Sequence, residues 1–279
     1  MMALRRGRGM DAGQLERRIE LLYGKVDWRN AEGLLHVAAI APATGSVLAI
    51  GPTSPPSETD RFILGLARAR ADFILTTGSV LRAEPDLVHA YSEDAELDQA
   101  LRAWRRRVLP RDGEPGLVIV SYSGDVPQDH PCLAASRTGI IWTSKHGRNR
   151  LGSSVGHFKV EEGIVENPKG AECGDPNIRQ SLRELVEFLR VRYSARTILI
   201  EAGPTLSHAF YARPLGDGLR MDELLLSRFE GDVPREALGP AFESEETIDR
   251  LFSDPRTRRT VREPSGRWYF ERYRAPVST

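Results

Sequence analysis

The chain has 279 residues, 40% hydrophobic and 28% charged, with 39 basic side chains balanced by 39 acidic ones. This is ordinary globular composition with material for a sizeable core, and the zero net charge argues against a broad field for nucleic acid or an anionic membrane. Two cysteines, Cys132 and Cys173, fit no metal-ligand spacing and are too few for a disulfide framework, so no metal is expected.

In chain order, residues 1–13 are expected to be poorly ordered and 14–276 to form a single domain. The basic start has no apolar segment behind it, and no apolar run approaches the length of a membrane span. The expected location is the cytoplasm. Leu15, Ile19 and Leu22 recur at helical spacing. A strand from Leu34 to Ile40 ends at Pro42 and a Thr44-Gly45 turn. After the stiff loop Pro52 to Pro56, Ser57 is suited to cap a helix over 58–70, with Asp60 as an approximate capping-box partner. Phe73-Ile74-Leu75 reads as a buried strand running into Thr76-Thr77-Gly78-Ser79.

Leu97, Leu101, Trp104 and Val108 mark a helix that stops before Pro110. Buried strands follow at Leu117 to Val120 and Ile140 to Trp142, emptying into Ser121-Tyr122-Ser123-Gly124 and Thr143-Ser144. Residues 145–175 are glycine-rich and polar, with a short strand near Phe158 to Val160. Asp175 as cap and Pro176 in the first turn open a helix striped by Ile178, Leu182, Leu185, Val186 and Leu189. Strand Thr197 to Ile200 then empties into Glu201-Ala202-Gly203-Pro204-Thr205-Leu206. Met221 to Phe229 and Arg267 to Tyr273 read as late, antiparallel strands. Strand and helix in alternation, then returning strands, predict an α/β fold: a mostly parallel sheet, helices on both faces, an antiparallel C-terminal edge.

Ligands of open α/β sheets gather outside the carboxyl ends of the strands. Four predicted strands end in small, hydroxylated or glycine-containing residues, which together would line one rim. Glycine lets a backbone approach a phosphate, and amides at a helix start favour its charge. The G-x-G-x-x-G fingerprint, a Walker loop and a G-x-S-x-G elbow do not occur.

Three stretches carry a resemblance. Leu66 to Glu84, with Ala-Arg-Ala-Asp at 69–72, is similar to an "LRA-ADvvLvGagTvraE" pattern; Ile200 to Leu206 to "EGGPTL"; and Met221-Asp222-Glu223-Leu224 to "VDEL". The closing Tyr269 to Tyr273 resembles a terminal "F-x-RY" strand. Together they resemble the reductases of riboflavin biosynthesis and their bacterial pyrimidine-reductase relatives, from about residue 14 to 274. The resemblance implies a dihydrofolate-reductase-like sheet, NADPH binding, hydride transfer to a small-molecule substrate and a homodimer. By position, Thr77, Gly78, Ser79 and Val80 would meet the cofactor diphosphate from one side, and Ala202, Gly203, Pro204, Thr205 and Leu206 from the other. Ser121 and Ser123 would lie near the adenosine ribose or its 2′-phosphate, with Thr143 and Ser144 beside them.

The departures touch the cofactor rim at Ala202 and fall more widely on the substrate side. The family's double glycine is Ala202-Gly203 here, and its S-x-D-G loop has no counterpart in Ala39 to Gly45. Where the riboflavin enzymes carry a carboxylate pair and an arginine suited to ribose phosphate, this chain has Ala83-Glu84 and His89-Ala90. Glu84, just past the phosphate turn, is the candidate catalytic acid; its alternative is a solvated helix carboxylate. Arg82 suits either a phosphate or the surface, and His36 and His89 are expected to be structural or exposed. Asp222 and Glu223 are expected to open a strand or meet a partner subunit, and Trp28, Trp104, Trp142 and Trp268 to anchor a core or interface. Two functions stay open: an NADPH-dependent reductase with an altered substrate site, and a catalytically silent relative that binds a nucleotide or a partner protein.

Overall fold

The computed structural model describes residues 10–49, 51–109, 111–164, 176–212, 219–252 and 257–276. The chain opens with α1 (Ala12–Tyr23), whose start is closed by a reciprocal box between Asp11 and Gln14. β1 (Gly33–Ala41) and β2 (Ser46–Leu48) form a hairpin around the Thr44-Gly45 turn. Next come α2 (Glu58–Arg70), β3 (Phe73–Thr77), α3 (Gly78–Ala83), α4 (Ala95–Val108), β4 (Gly116–Ser121) and α5 (Pro131–Ala135). β5 (Gly139–Ser144), α6 (Lys145–Leu151), β6 (Ser154–Val155) and β7 (Phe158–Ile164) complete that half. The chain then returns through α7 (Pro176–Tyr193), β8 (Thr197–Ile200) and α8 (Pro204–Ser207). β9 (Glu223–Glu230), β10 (Leu238–Ala241), α9 (Glu245–Phe252), β11 (Thr257–Glu263) and β12 (Gly266–Arg274) close the described chain.

The strands form one sheet in the order β11-β12-β9-β1-β8-β3-β4-β5-β7-β6, with β2 and β10 paired off the end of β1. From β9 to β7 every pairing is parallel, and β12 against β9 and β11 against β12 are antiparallel. Alternation along each strand divides the core between the two faces. Ile74, Leu117 and Ile119 pack with α1, α2 and α4 on one face. Phe73, Leu75, Val118 and Ile198 pack with α7 and α9 on the other. This is the α/β architecture with helices on both faces and an antiparallel edge that the sequence predicts. All four tryptophans are buried as core anchors. Among the described residues no helix is long and apolar enough to cross a membrane.

Several local readings change. Ser57 caps α2 by accepting the Asp60 amide at 2.9 Å, without the reciprocal bond from Asp60 that would complete a capping box. The late strand begins at Glu223, two residues after Met221, and β11 was not expected at all: its Thr-Arg-Arg-Thr-Val-Arg-Glu sequence has no apolar face to announce it. The expected Asp175 cap and Cys173 lie outside the described residues.

The acidic pair at 222–223 works inside the fold. Asp222 accepts the Leu34 amide at 2.8 Å, aligning β9 with β1. Gly33 passes so close that a Cβ there would lie 2.3 Å from the Asp222 carboxylate, and its φ of +117° suits only glycine. Glu223 is 1% exposed and is held by three guanidinium groups: Arg70 through both oxygens (3.0 and 2.8 Å), Arg272 at 2.8 Å and Arg274 at 2.9 Å. Arg70 and Arg272 also stack over the Trp28 ring, 4.6 and 5.3 Å from its centroid. Burial alone would raise the Glu223 carboxyl, yet its arginines pull it down to about 2. Within this chain, Glu223 therefore ties α2, β9, β12 and the Trp28 loop together.

Removing that carboxylate leaves buried cations uncompensated, which costs about 3–5 kcal/mol in comparable sites. Glu223→Gln is expected to lower the unfolding free energy by that order in urea titrations. Glu230→Gln, which breaks an exposed, solvent-screened pair with Arg267, should leave the unfolding free energy nearly unchanged. Equal, small losses would contradict the buried-hub account.

Candidate active site

The four strand ends singled out in the sequence stand side by side in space. β8, β3, β4 and β5 are consecutive and parallel, so Glu201, Thr77, Ser121 and Ser144 leave the sheet along one rim. The chain steps outward from β3 through β4 and β5 to β7, then returns to insert β8 between β1 and β3. The gap between β8 and β3 is thus a topological switch point, the usual ligand crevice of an open α/β sheet.

The two glycine turns at this crevice differ. Thr77 caps α3 by accepting the Val80 amide at 3.2 Å and shares a 2.8 Å hydrogen bond with the exposed Ser79 hydroxyl. A Cβ on Gly78 would fall 2.6 Å from the Asp125 carbonyl oxygen, so the fold itself needs glycine there. Arg82 donates to that carbonyl at 2.5 Å and pairs with the Asp125 carboxylate at 3.1 Å, tying the turn after β3 to the turn after β4. Gly203 shows the reverse. Its φ of −60° and ψ of 161° suit any residue, and a Cβ built on it meets no described atom within 4 Å. Neither backbone nor packing calls for glycine at 203. Ala202 and Leu206 beside it pack on the face below.

The hydroxyls divide similarly. Ser79, Ser123 and Thr205 are exposed along the rim. Thr143 and Ser144 are fully buried and engaged: Thr143 donates to the Ser121 carbonyl at 2.6 Å. Ser144 donates to the Tyr122 carbonyl at 2.8 Å while its Oγ caps α6 by accepting the Gly147 amide. Ser121 is buried with a long 3.4 Å contact to the Asp125 carbonyl. These three build the turn after β4, and Ser79, Ser123 and Thr205 face outward.

Beside the crevice sits a charged cluster that the sequence reading did not assemble. Glu201, directly past β8, receives a two-pronged hydrogen bond from Arg68 of α2, at 2.8 and 2.7 Å. The third Arg68 nitrogen donates to the Ala90 carbonyl at 2.8 Å. Burial by itself would raise the Glu201 carboxyl, and the Arg68 pairing holds it below its ordinary range. Glu84 closes α3 in the same neighbourhood, half-buried, and is pushed up by desolvation and by the facing charge of Glu201. Two neighbouring carboxyls with pKa values driven apart are the usual arrangement for assigning one proton donor and one fixed charge.

Three histidines surround the pair. Burial pushes His36 of β1 down to about 4, and its Nδ1 lies 2.8 Å from the Tyr211 hydroxyl. His89 is likewise pushed down to about 4, again chiefly by burial. Its Nε2 stands 3.8 Å from Glu201, beyond hydrogen-bond reach, and neither ring nitrogen has a partner. His130 contacts the Glu84 carbonyl through Nε2 at 2.9 Å and the Cys132 sulfur through Nδ1 at 3.0 Å. Burial raises that thiol to about 12, so it is not a nucleophile. His36 is the structural histidine expected, buried and paired with Tyr211; His89 is neither exposed nor paired, and lies beside Glu201. The available signal was a charged residue directly after the apolar run Ile198 to Ile200, with two arginines in the last turn of a buried helix.

The histidines give a pH signature. A folded pKa below the unfolded value near 6.5 means the unfolded chain takes up protons first as pH falls. Their contribution to stability is therefore complete above about pH 6.5 and is lost toward about pH 4. The unfolding free energy from urea titrations should fall from pH 7 to about pH 5, by up to about 1.4 kcal/mol per pH unit for each histidine. His89→Leu should flatten that slope. An unchanged slope in the variant would contradict the buried neutral imidazole.

The chain matches the RibD C-terminal domain family over residues 40–221, and comparison with the curated proteins gives no match. Among solved structures, a pyrimidine reductase-like protein from Corynebacterium diphtheriae superposes with a TM-score of 0.56 at 22% identity, covering 94% of this chain and 99% of that one. RibD from Acinetobacter baumannii gives 0.53 at 18% identity, covering 88% of this chain and 59% of that one. The riboflavin biosynthesis reductase Rib7 from Saccharomyces cerevisiae gives 0.51 at 11%, covering 94% and 98%. At such identities these likenesses speak for the fold. The family match spans more than half the chain and runs from the β1 hairpin through the whole crevice: the chain belongs to the RibD C-terminal domain family, a reductase-type family of the riboflavin pathway.

Proposed function

We propose that this chain is an NADPH-dependent reductase that transfers hydride to a small heterocyclic or carbonyl-like substrate through a site altered from that of its riboflavin-pathway relatives. The observation that carries the reading is Gly203, a glycine whose side-chain position opens onto the crevice and which the fold does not otherwise require. A cofactor backbone lying against it supplies the missing reason. Gly78, Ser79 and Val80 would hold the diphosphate from the β3 side, and Gly203, Pro204, Thr205 and Leu206 from the β8 side. Ser121 and Ser123 would lie toward the adenosine ribose, over the turn that Thr143 and Ser144 brace.

When bound, the nicotinamide supplies the hydride, and the protein's task is to orient an acceptor and deliver a proton. Glu84 suits the proton donor, because burial and the Glu201 charge keep it protonated to higher pH than a free carboxyl. Glu201, fixed by Arg68, stays ionised and raises its neighbour. A cytoplasmic homodimer belongs to the same reading.

Calorimetric titration tests it with two glycine variants. Wild type should bind NADPH with micromolar affinity, about −8 kcal/mol. Gly203→Ala should keep the thermal midpoint of the wild type and weaken NADPH at least tenfold. Gly78→Ala should lower the midpoint, since the Asp125 backbone must move. Equal NADPH affinity in Gly203→Ala would remove the diphosphate from that turn. Absence of NADPH binding by wild type up to millimolar concentration would overturn the reductase and favour the silent scaffold, for which the rewritten Ala39–Gly45 hairpin and Ala202 already speak.

A further inference from the structure

We infer that His208 and Glu243 are positioning residues: they form a clasp that holds the turn after β8 and the β1–β2 hairpin as one unit, so that NADPH on the turn steadies the hairpin. The inference rests on the reductase reading for the occupant of the turn. It goes further by coupling that turn to the segment Ala39 to Gly45, where the substrate side departs from its relatives.

The turn cannot hold itself. α8 is a helix of four residues whose start no side chain caps, and so short a helix is not stable alone. Its position comes from ties beyond it. On the buried side, Arg179 of α7 donates to the carbonyls of Ala209, Ala212 and Leu219. His208, the residue directly after α8, donates through Nδ1 to the Glu243 carboxylate at 2.7 Å. The Glu243 side chain is 8% exposed and that of His208 42%. Among the described residues His208 is the carboxylate's only hydrogen-bond partner. Burial pushes the Glu243 carboxyl up and the histidine pulls it part of the way back, so cutting the bond leaves a desolvated carboxyl unpaired.

Glu243 in turn belongs to the strap that covers the hairpin. β10 pairs with β2, the Ala49 amide donates to the Ala237 carbonyl at 2.9 Å, and the Phe242 amide donates to the Gly45 carbonyl at 2.8 Å. The Phe242 ring packs with its centroid 5.9 Å from His36 and 6.1 Å from Tyr211, and Tyr211 closes the 3₁₀ turn that His208 begins. The clasp thus lies one residue past the cofactor turn at one end and one residue past the Phe242–Gly45 bond at the other. β1 runs parallel to β8, so its hairpin rises from the same rim. Coupling of this kind is reciprocal: a turn that steadies the hairpin is steadied by it.

Hydrogen exchange of the Phe242 and Ala49 amides reads local opening of the hairpin and its strap, with the Val118 and Ile119 amides of β4 as the control for global opening. His208→Ala, at a half-exposed position, should speed the first pair in the protein without nucleotide although it removes neither of their bonds, and should leave the β4 amides unchanged. In wild type, saturating NADPH should slow the first pair by about fivefold or more, the lower end of common coupling factors. In His208→Ala that slowing should be lost, and NADPH should bind more weakly by a similar factor. His208→Asn, whose amide nitrogen takes the place of Nδ1 as donor, should restore both effects in part. Hairpin amides indifferent to His208→Ala, a change shared equally by β4, or NADPH slowing that survives in His208→Ala would overturn the inference. If wild type binds no NADPH, faster exchange confined to the hairpin and strap in His208→Ala would sustain the clasp and overturn the reductase reading and its cofactor alone.

Discussion

The site depends on one ion pair. Glu201 is brought to the rim by an apolar strand, and an isolated carboxylate in that position would carry a large desolvation cost. Arg68 offsets it with a planar, two-pronged contact and fixes the carboxylate's orientation. The electrostatics of the neighbouring groups follow from that fixed charge. Glu84 is raised partly because Glu201 stays negative, and His36 and His89 feel the same charge as the one favourable influence opposing their burial.

Arg68 is placed by α2, and α2 is anchored from both ends of the charge pattern that follows it. In the run Ala67-Arg68-Ala69-Arg70-Ala71-Asp72, Arg68 reaches the site and Arg70 reaches the Glu223 hub. Asp72 accepts the Arg196 and Thr197 amides at 2.7 and 2.8 Å, which locks the entry of β8. The carbonyls at 69 and 71 are taken up by the buried Arg105, and that of Arg70 by Arg111. The alternating alanines let the last turn pack flush while each charged neighbour serves a different partner. A basic helix end that looks solvated in sequence is here the joint between sheet, site and C-terminal hairpin.

What could be read in the sequence was local. Short continuous apolar runs marked β3, β4, β5 and β8, and placing their polar endings on one rim required only the parallel-sheet rule. The glycines at 78 and 203 were visible as a pair, but not that one serves the Asp125 loop and the other an open flank, since that depends on a residue 47 positions from Gly78. Glu201 lay in plain view inside a motif, yet its role needs Arg68, 133 residues away. His89 is silent for the same reason: the absence of a partner has no sequence signature. Glu223 was expected to open a strand or meet another subunit, and it does open β9, but its three arginines come from α2 and β12. The antiparallel edge was half legible, because β12 alternates clearly while β11 is polar on both faces.

The electrostatic account is tested most directly by following the Glu84 and Glu201 side-chain carboxyls through an acid titration by ¹³C NMR, with Glu84→Gln and Glu201→Gln to assign them. The account predicts two separated transitions, Glu84 above the ordinary glutamate value and Glu201 below it, with Glu84 returning toward that value in Glu201→Gln. A common midpoint for both carboxyls, or a Glu84 transition indifferent to Glu201→Gln, would contradict it.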